Sequence, residues 1–526
     1  MARRSISYLL ADTRPLRNPH FRRLWLANIV TVVGAQLTVV AVPAQIYADT
    51  GSSAYVGLAG MFGLVPLVVF GLYGGALADV FDRRTLLIVT TTGLIVTSGL
   101  FWLQAALGNT NVWTLLTLFA VQQAFFAVNQ PTRSAILPKL IDHTLLPAAN
   151  SLSMTVTMAG AIAGPLVAGI LIPIIGFEWM YLIDTVTLFA TLGAVVRLPR
   201  LPVLDAVTGT PGLKAVIEGF TYLRTQPVLM MSFVVDLIAM VFGMPRALFP
   251  EIAHLDFGGP DNGGIVFALL FAAIPAGSVI GGVFSGWVSR VDRQGRAVIV
   301  CIALWGVSMI GFGVAVALAD HWMTTMLVIA LLMLVLGGAA DMASAAFRTS
   351  MLQSAADDAV RGRLQGVFIV VVAGGPRIAD TLHGATAASV GAATAAAGGG
   401  VLVVIGVVVA ALAVPSFVRY RITAPECHAG IVTGPRRELS IEQVQRWVMS
   451  FLILAVASFP LGALTAVAHS VAGDGRQADA VLLLVVMAAL GVLALVAIRL
   501  VHGLPPVSAW VLLGVLPAVV AGALIL

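Results

Sequence analysis

Apolar segments of roughly bilayer length recur along almost the whole chain, and they restrict the fold more than any other feature of the sequence. A helix needs about 20 residues to cross the hydrocarbon core, where every backbone polar group must find an internal partner. Of the 526 residues, 59% are hydrophobic and only 10% are charged, whereas a soluble domain has about 25% charged residues. The sequence therefore predicts an all-α integral membrane protein.

The apolar segments form three groups, separated by two polar stretches. The first group is predicted to hold six spans, at 24–47, 54–78, 85–107, 112–133, 150–172 and 178–197. The second holds six more, at 227–250, 264–289, 296–318, 322–345, 364–390 and 398–418. The third holds three, at 447–469, 480–500 and 507–526. The predicted domains are an N-terminal six-helix half (1–197), a cytoplasmic linker (198–226), a C-terminal six-helix half (227–421), a polar linker (422–446) and an accessory three-helix membrane module (447–526).

The Lys and Arg residues predict the orientation in the membrane. Among the first twelve spans they lie in the loops that follow even-numbered spans, for example Arg197, Arg290 and Arg419, and the alternate loops hold none. Such loops face the cytoplasm, so the N-terminus is predicted to be cytoplasmic, with the first span an uncleaved helix. The net charge of +5 follows from these loops and does not indicate binding of nucleic acid.

A short polar island, residues 74–87, separates the second and third spans. Its distinctive residues are Gly75, Leu77, Ala78, Asp79, Arg83 and Arg84. They resemble the loop between helices 2 and 3 of the major facilitator superfamily, whose pattern is Gly-x-Leu-Ala-Asp-x-x-Gly-Arg-Arg. The chain departs from it at Asp82, where glycine is usual, and at Val80, where a basic residue is common. The resemblance implies a cytoplasmic latch, in which a carboxylate at a helix end pairs with arginine.

The fifth span carries a second motif, Gly160, Gly164, Pro165 and Gly169. It resembles the Gly-x-x-x-Gly-Pro-x-x-Gly-Gly motif of antiporters in the same superfamily, with Ala168 in place of one glycine. Glycines four residues apart allow two helices to approach closely. The motif therefore predicts a helix-packing site.

The two predicted halves resemble each other in sequence. The segment around Arg133 matches the segment around Arg348, and Gly160 and Gly169 fall opposite Gly375 and Gly384 at the same offset. Parallel repeats of this kind are typical of transporters whose substrate site lies between the repeats near the middle of the membrane.

A narrower resemblance covers roughly residues 14–420. The segments Leu16–Phe21, Val40–Ile46, Pro245–Pro250 and Phe271–Gly277 are similar to the enterobactin exporter family. That family implies a twelve-helix, proton-driven exporter of siderophores or other small molecules. The last three predicted helices lie outside the resemblance.

Ionisable residues inside membrane spans are functional candidates by default. The proton-coupling candidates are Asp236, Asp380, Arg377 and Asp184, with Asp236 preferred because it has no obvious local partner. Arg377, Asp380 and His383 share one helix face, so Arg377 and Asp380 can pair. Burial disfavours the charged form of a carboxylate, which can then exchange a proton as its pocket opens to either side.

The sequence thus predicts a secondary-active, proton-coupled exporter of a siderophore or drug-like compound, which works by alternating access in the bacterial inner membrane. An uptake carrier of the same fold and a transporter-derived sensor or scaffold remain alternatives. No phosphate-binding loop or metal-ligand spacing occurs, so the chain is predicted to be neither an enzyme nor a cofactor- or metal-binding protein. Its expected partners are a small-molecule substrate, protons and the lipid bilayer, and the oligomeric state stays open.

Overall fold

The computed structural model describes residues 13–199, 221–355, 358–421 and 509–525, with scattered positions between 481 and 499. Over these residues the regular structure is helical, without a strand, as the composition predicts. Ten helical segments of this part of the chain are long and apolar enough to cross a membrane. The predicted span at 447–469 and most of the one at 480–500 lie outside the described residues. So do most of the predicted linker 198–226 and the whole of the linker 422–446.

Five long helices make up the N-terminal part of the described chain. They are α1 (Pro19–Thr50), α2 (Ser53–Val80), α3 (Arg83–Ala106), α4 (Val112–Leu140) and α5 (Leu146–Val196). Short polar side chains fix where they begin: the Asn18 side chain accepts hydrogen bonds from the backbone N–H groups of His20 and Phe21. Asn111 does the same for Trp113, which satisfies donors that have no partner inside the helix.

Helix α5 contains both the fifth and the sixth predicted spans. The sequence predicts a loop at 173–177, but only Gly176 has non-helical dihedral angles there (φ 84°, ψ 171°). Glycine has no Cβ and adopts positive φ at little steric cost, so one residue is enough to break the helix between the two spans.

The remaining described helices follow the 221–226 segment. They are α6 (Pro227–Gly243), α7 (Ile265–Val283), α8 (Gln294–Ala317), α9 (Met323–Ala355), α10 (Asp358–Val390), α11 (Ala392–Ala413) and α12 (Leu516–Ile525). The helices of the seventh and eighth spans are shorter than predicted. The seventh span ends at Gly243, because Pro245 lacks the N–H that would continue the helix, and short turns carry the chain on to Asp256. The eighth continues after Val283 as a tighter helix, Ser285–Arg290.

Several of the helices are longer than predicted, the fourth and tenth spans among them. The fourth span continues from 133 to Leu140, through Pro131 and Pro138. Next to Pro131, the Thr132 hydroxyl donates to the Val128 carbonyl at 2.7 Å; membrane helices tolerate proline more readily than soluble ones do. The tenth span likewise runs on to Ala355.

The described residues form two compact units. Unit 1 comprises the described parts of Met1–Gly51, Met61–Ile217 and Ala253–Val279. In it, α1 and α3 pack against α5, and α4 packs against α3.

Unit 2 comprises the described parts of Ser52–Gly60, Glu218–Ile252 and Ile280–Leu526. In it, α8 packs against α9 and α11, and α6 packs against α10 and α11. The predicted domain boundaries at 197, 226 and 421 stay predictions.

Candidate functional site: buried polar clusters

A buried aspartate lies at the centre of unit 1. Asp184 lies in the second arm of α5, the part that follows the break at Gly176, and is only 2% exposed. Its Oδ2 atom accepts hydrogen bonds from the Thr38 hydroxyl at 2.7 Å and from the Ser98 hydroxyl at 2.9 Å. The Thr185 hydroxyl donates in turn to the Ser98 oxygen at 3.1 Å. This cluster joins α1, α3 and α5 through a carboxyl whose hydrogen bonds, among the described residues, come from hydroxyl groups.

A second buried hydrogen-bond network, formed by two glutamine amides and a tyrosine hydroxyl, also lies inside unit 1. The Gln104 side chain donates to the Gln45 oxygen at 3.1 Å, and the Tyr181 hydroxyl donates to the same oxygen at 2.9 Å. All three side chains are buried. Because buried polar groups need partners, this network fixes the relative positions of α1, α3 and the second arm of α5.

The buried aspartate of unit 2 has a different environment. Asp236 in α6 forms an ion pair with Arg348 in α9. Arg348 Nη2 also lies 3.8 Å from Asp341 Oδ1. The Asp236 and Arg348 side chains are 2% and 8% exposed, whereas Asp341 is 26% exposed. One guanidinium group therefore lies between a buried carboxylate and a partly exposed one.

A second charged group of unit 2 includes Asp380. Arg246 Nη2 donates to Asp380 Oδ2 at 3.4 Å, and the two side chains are 35% and 13% exposed. The predicted pairing of Arg377 with Asp380 stays a prediction. On the same helix, His383 Nε2 lies 2.9 Å from the Phe242 carbonyl oxygen. Because a carbonyl only accepts, this nitrogen carries the proton of the hydrogen bond, and the imidazole joins α10 to the end of α6.

The glycines of the fifth-span motif lie where neighbouring helices approach most closely. A Cβ on Gly160 would collide with Val32, and one on Gly164 would collide with Gln36, both in α1. Further along α5, a Cβ on Gly169 would collide with Ala268 of α7. All these contacts lie within unit 1, and they support the packing role that the motif predicts.

A similar close approach occurs in unit 2, between α2 and α10. A Cβ on Gly57 would lie 2.7 Å from the Asp380 carbonyl oxygen, and one on Gly384 would collide with the Ser53 carbonyl. The Thr381 hydroxyl donates to the Gly57 carbonyl at 3.0 Å. Gly384 and Gly169 occupy matching positions in the duplicated sequence. Each unit therefore has one close helix–helix contact built on a glycine of the repeat, α5 with α7 in unit 1 and α2 with α10 in unit 2. These two contacts are called the glycine seams.

The structure describes the side chains of only part of the polar island. Gly75, Leu77 and Asp79 lie in the last turns of α2, and their side chains are outside the described part of the structure. Arg83 donates to the Ala135 carbonyl at 3.0 Å and Arg84 to the Val196 carbonyl at 2.6 Å. The two arginines thereby attach the start of α3 to the last turns of α4 and α5, where cations are favoured. The predicted latch pairing of Asp79 stays a prediction.

Asp82, the departure from the superfamily pattern, has a clear local role. Its Oδ1 atom accepts hydrogen bonds from the Thr85 backbone N–H at 2.9 Å and from the Thr85 hydroxyl at 3.2 Å. The residue that replaces the usual glycine therefore caps the N-terminus of α3.

Sequence reasoning missed two partners, Arg348 for Asp236 and Arg246 for Asp380. In the sequence, Arg348 falls just after the predicted tenth span, in a segment that matches the one around Arg133. The available signal was its position seven residues, or two helical turns, after Asp341 and within a repeated motif, because an arginine near the end of a span needs a counter-charge.

Comparison with known proteins agrees with the fold. A family profile described as transmembrane secretion effector matches residues 11–429. The enterobactin exporter EntS of Shigella boydii serotype 18 is 28% identical over 425 residues, which cover 80% of this chain and 98% of the exporter. EntS of Escherichia coli O81 (strain ED1a) is 28% identical over 427 residues, with the same coverage. The profile stops before the third group of predicted spans.

Solved structures show the same architecture. The nucleoside transporter NupG covers 75% of this chain and 99% of its own, with a TM-score of 0.61 and 11% sequence identity. A D-xylose–proton symporter covers 75% and 97%, with a TM-score of 0.57 and 13% identity. These likenesses show the fold alone, and the family match shows the relationship. The chain is a multi-pass membrane transporter, not an enzyme, and it belongs to the transmembrane secretion effector family of the major facilitator superfamily.

Proposed function

We propose that this transporter exports a small organic molecule by alternating access and that proton entry drives the export. The observation that carries the coupling proposal is the ion pair of Asp236 with Arg348, with Asp341 as a second carboxylate within reach of the same guanidinium. Relatives named enterobactin exporters, similar over four fifths of the chain, support the direction of transport. The cargo is a siderophore or a drug-like compound.

The coupling step uses one proton and one arginine. In the paired state, Arg348 neutralises the Asp236 carboxylate, which offsets the large cost of burying the charge. When a proton binds to an Asp236 oxygen, the carboxyl becomes neutral and no longer holds the guanidinium. Arg348 then turns to Asp341, which is already 3.8 Å away. Proton release from Asp236 reverses the exchange, so protonation selects between two arrangements of α6 and α9.

The glycine seams supply the contacts that a conformational cycle would break and remake. In unit 2 the seam joins α2 to α10, and in unit 1 it joins α5 to α7. Both are held by van der Waals contacts between small residues, and the α2–α10 seam also by the hydrogen bond from Thr381 to the Gly57 carbonyl. A helix can leave such contacts without stranding a charge. We assign both seams to the extracytoplasmic side, in keeping with a cytoplasmic N-terminus and a location in the bacterial inner membrane.

The remaining coupling candidates have supporting roles in this proposal. Arg246, Asp380 and Arg377 form a charged group near the α2 seam, and Asp184 holds unit 1 together through hydroxyl groups.

The predicted three-helix module after residue 446 is assigned an accessory role. Deleting residues 422–526 should leave export intact, and loss of export from a stable truncated protein would contradict that assignment.

An efflux assay tests coupling. Cells that express the transporter are loaded with a fluorescent drug-like compound or with a catecholate siderophore, and efflux is followed with and without an uncoupler. Export should stop when the uncoupler removes the proton gradient. The Asp236→Asn variant should remain in the membrane but lose gradient-driven efflux, because it cannot exchange a proton. Asp320→Asn, an exposed aspartate of the same unit, is the matched control and should transport like the parent.

The outcomes of this assay distinguish the direction of transport from its coupling to protons. Equal accumulation with and without the gene would exclude export of the compound tested, and higher accumulation with the gene would indicate an uptake carrier. Gradient-driven efflux that survives Asp236→Asn with an unchanged pH dependence would remove Asp236 from the mechanism. Growth in iron-poor medium, beside a panel of toxic compounds, identifies the cargo class.

A further inference from the structure

A cleft lined by four arginines opens in unit 2, at one end of α8 and α11. Its lining consists of Arg293, Arg296, Arg419, Arg421 and Val418, and its volume is about 520 Å³. No carboxylate contributes to this lining among the described residues, although Asp292 is next to Arg293 in the sequence. The transport mechanism proposed above uses none of these side chains.

The backbone holds the two sides of the cleft together. Arg293 and Arg296 flank the start of α8, and Arg419 and Arg421 follow α11. Between them, the Gly295 N–H donates to the Tyr420 carbonyl at 3.5 Å. A Cβ at Gly295 would collide with the Phe417 carbonyl, and Phe417 itself is fully buried. The four guanidinium groups are therefore carried by two segments in fixed contact, and they remain exposed to solvent.

The position of the cleft corresponds to the headgroup level of a membrane. It lies where α8 begins, at Gln294, and just beyond the end of α11, at Ala413. The same two helices present exposed apolar side chains in the adjoining turns, Val300 at 58% and Leu412 at 75%. The charge pattern predicts that this end faces the cytoplasm, whose leaflet carries anionic lipids.

The chemistry of the lining selects phosphate. A guanidinium offers a planar fork of N–H donors that matches phosphate oxygens and is only weakly hydrated, and Arg–phosphate hydrogen bonds are among the strong ones. The first turn of α8 adds the positive end of its helix dipole. Basic pockets between membrane helices on the cytoplasmic side bind the head groups of anionic lipids. We propose that this cleft binds the phosphate group of an anionic phospholipid.

The test measures lipid binding to the purified full-length transporter by native mass spectrometry. Phosphatidylglycerol is titrated against phosphatidylethanolamine, which carries a phosphate but no net charge. The variants R293Q/R296Q and R419Q/R421Q remove one side of the cleft each. The matched control R22Q/R23Q removes two exposed arginines from the same predicted end of the molecule. At about 1 kcal/mol per arginine, each cleft variant should weaken phosphatidylglycerol binding about thirtyfold, and the control should bind within about twofold of the parent.

Two further measurements on the parent protein keep the proposal testable if a variant fails to fold. In the parent protein, phosphatidylglycerol binding should weaken as ionic strength rises, and inorganic phosphate should not displace the lipid at equal concentration. Equal affinity for the two lipids, insensitivity to salt, or unchanged binding by both cleft variants would overturn the proposal. Displacement by inorganic phosphate at equal concentration would also overturn it and would assign the cleft to free anions.

Discussion

Asp184 and Asp236 are both aspartates buried within membrane-spanning helices, yet they are held in opposite ways. In unit 1, hydroxyl groups of Thr38 and Ser98 hold Asp184. In unit 2, a guanidinium holds Asp236 and also reaches Asp341. A carboxyl held by hydroxyls can gain a proton without leaving a charge behind, whereas protonation of Asp236 leaves the Arg348 charge to be balanced by Asp341 alone. The comparison teaches that, among the described residues, the two units share close glycine packing but hold their buried aspartates differently, by an ion pair in unit 2 and by hydroxyl groups in unit 1.

The largest expected effect comes from removing the shared cation. R348Q leaves Asp236 and Asp341 without their counter-charge, and breaking a buried ion pair costs about 3–5 kcal/mol. The variant should show a much lower free energy of unfolding, measured by denaturant titration in detergent, and a reduced folded yield. R22Q, at an exposed position, is the control and should unfold like the parent.

A second substitution isolates the charge from the packing. In D236N/R348Q both buried charges are gone, so part of the lost stability should return while gradient-driven efflux stays absent. If R348Q alone were as stable as the parent, the buried ion pair would not contribute to folding, and the contrast between the units would lose its basis.

The glycine seams are expected to give the next largest effect. G384A places a methyl group against the Ser53 carbonyl and Gly57 of α2, which are backbone atoms that cannot move aside. Overpacking of this kind costs about 1–3 kcal/mol, so the unfolding midpoint should fall. G193A is the matched control, because nothing lies within 4 Å of a Cβ there. Equal midpoints for the two variants would show that the α2–α10 seam is looser than described.

Replacing the aspartate of unit 1 should have a smaller effect. D184N keeps the shape of the side chain and an oxygen that accepts from Thr38 and Ser98, so the loss should be about 1 kcal/mol. Gradient-driven efflux should persist with its pH dependence unchanged, measured beside D236N in the same assay. Loss of coupling in D184N, with folding intact, would move the proton site to unit 1.

The smallest expected effect concerns the polar island. D82G restores the glycine of the superfamily pattern and removes the cap of α3, which should cost only a few tenths of a kcal/mol. Denaturant unfolding with D82A as a second variant, expected to lose about 1 kcal/mol, resolves the capping contribution. A D82G protein more stable than the parent would mean that the pattern glycine suits this turn better than the cap does.

Local patterns predicted the parts of this molecule that depend on neighbouring residues in sequence. Hydropathy located most described spans within a few residues, since burial in lipid requires a continuous apolar stretch. The spacing of Gly160, Gly164 and Gly169 indicated a packing face. The partners of Asp236 and Asp380 were not predictable in the same way, because Arg348 and Arg246 reach them only after the helices have packed. Likewise, nothing local indicates that Gly176 alone would replace a loop.

The single-residue break at Gly176 has a practical consequence for topology mapping. The predicted loop between the fifth and sixth spans is a favoured place to insert an epitope or a protease site, but the chain has no spare length there. Any other residue would be strained at φ 84°, and a Cβ at this position would crowd the Glu178 carboxylate. An insertion would have to unwind the end of one arm of α5, so a missing label at this position would report a tight junction and not a cytoplasmic location.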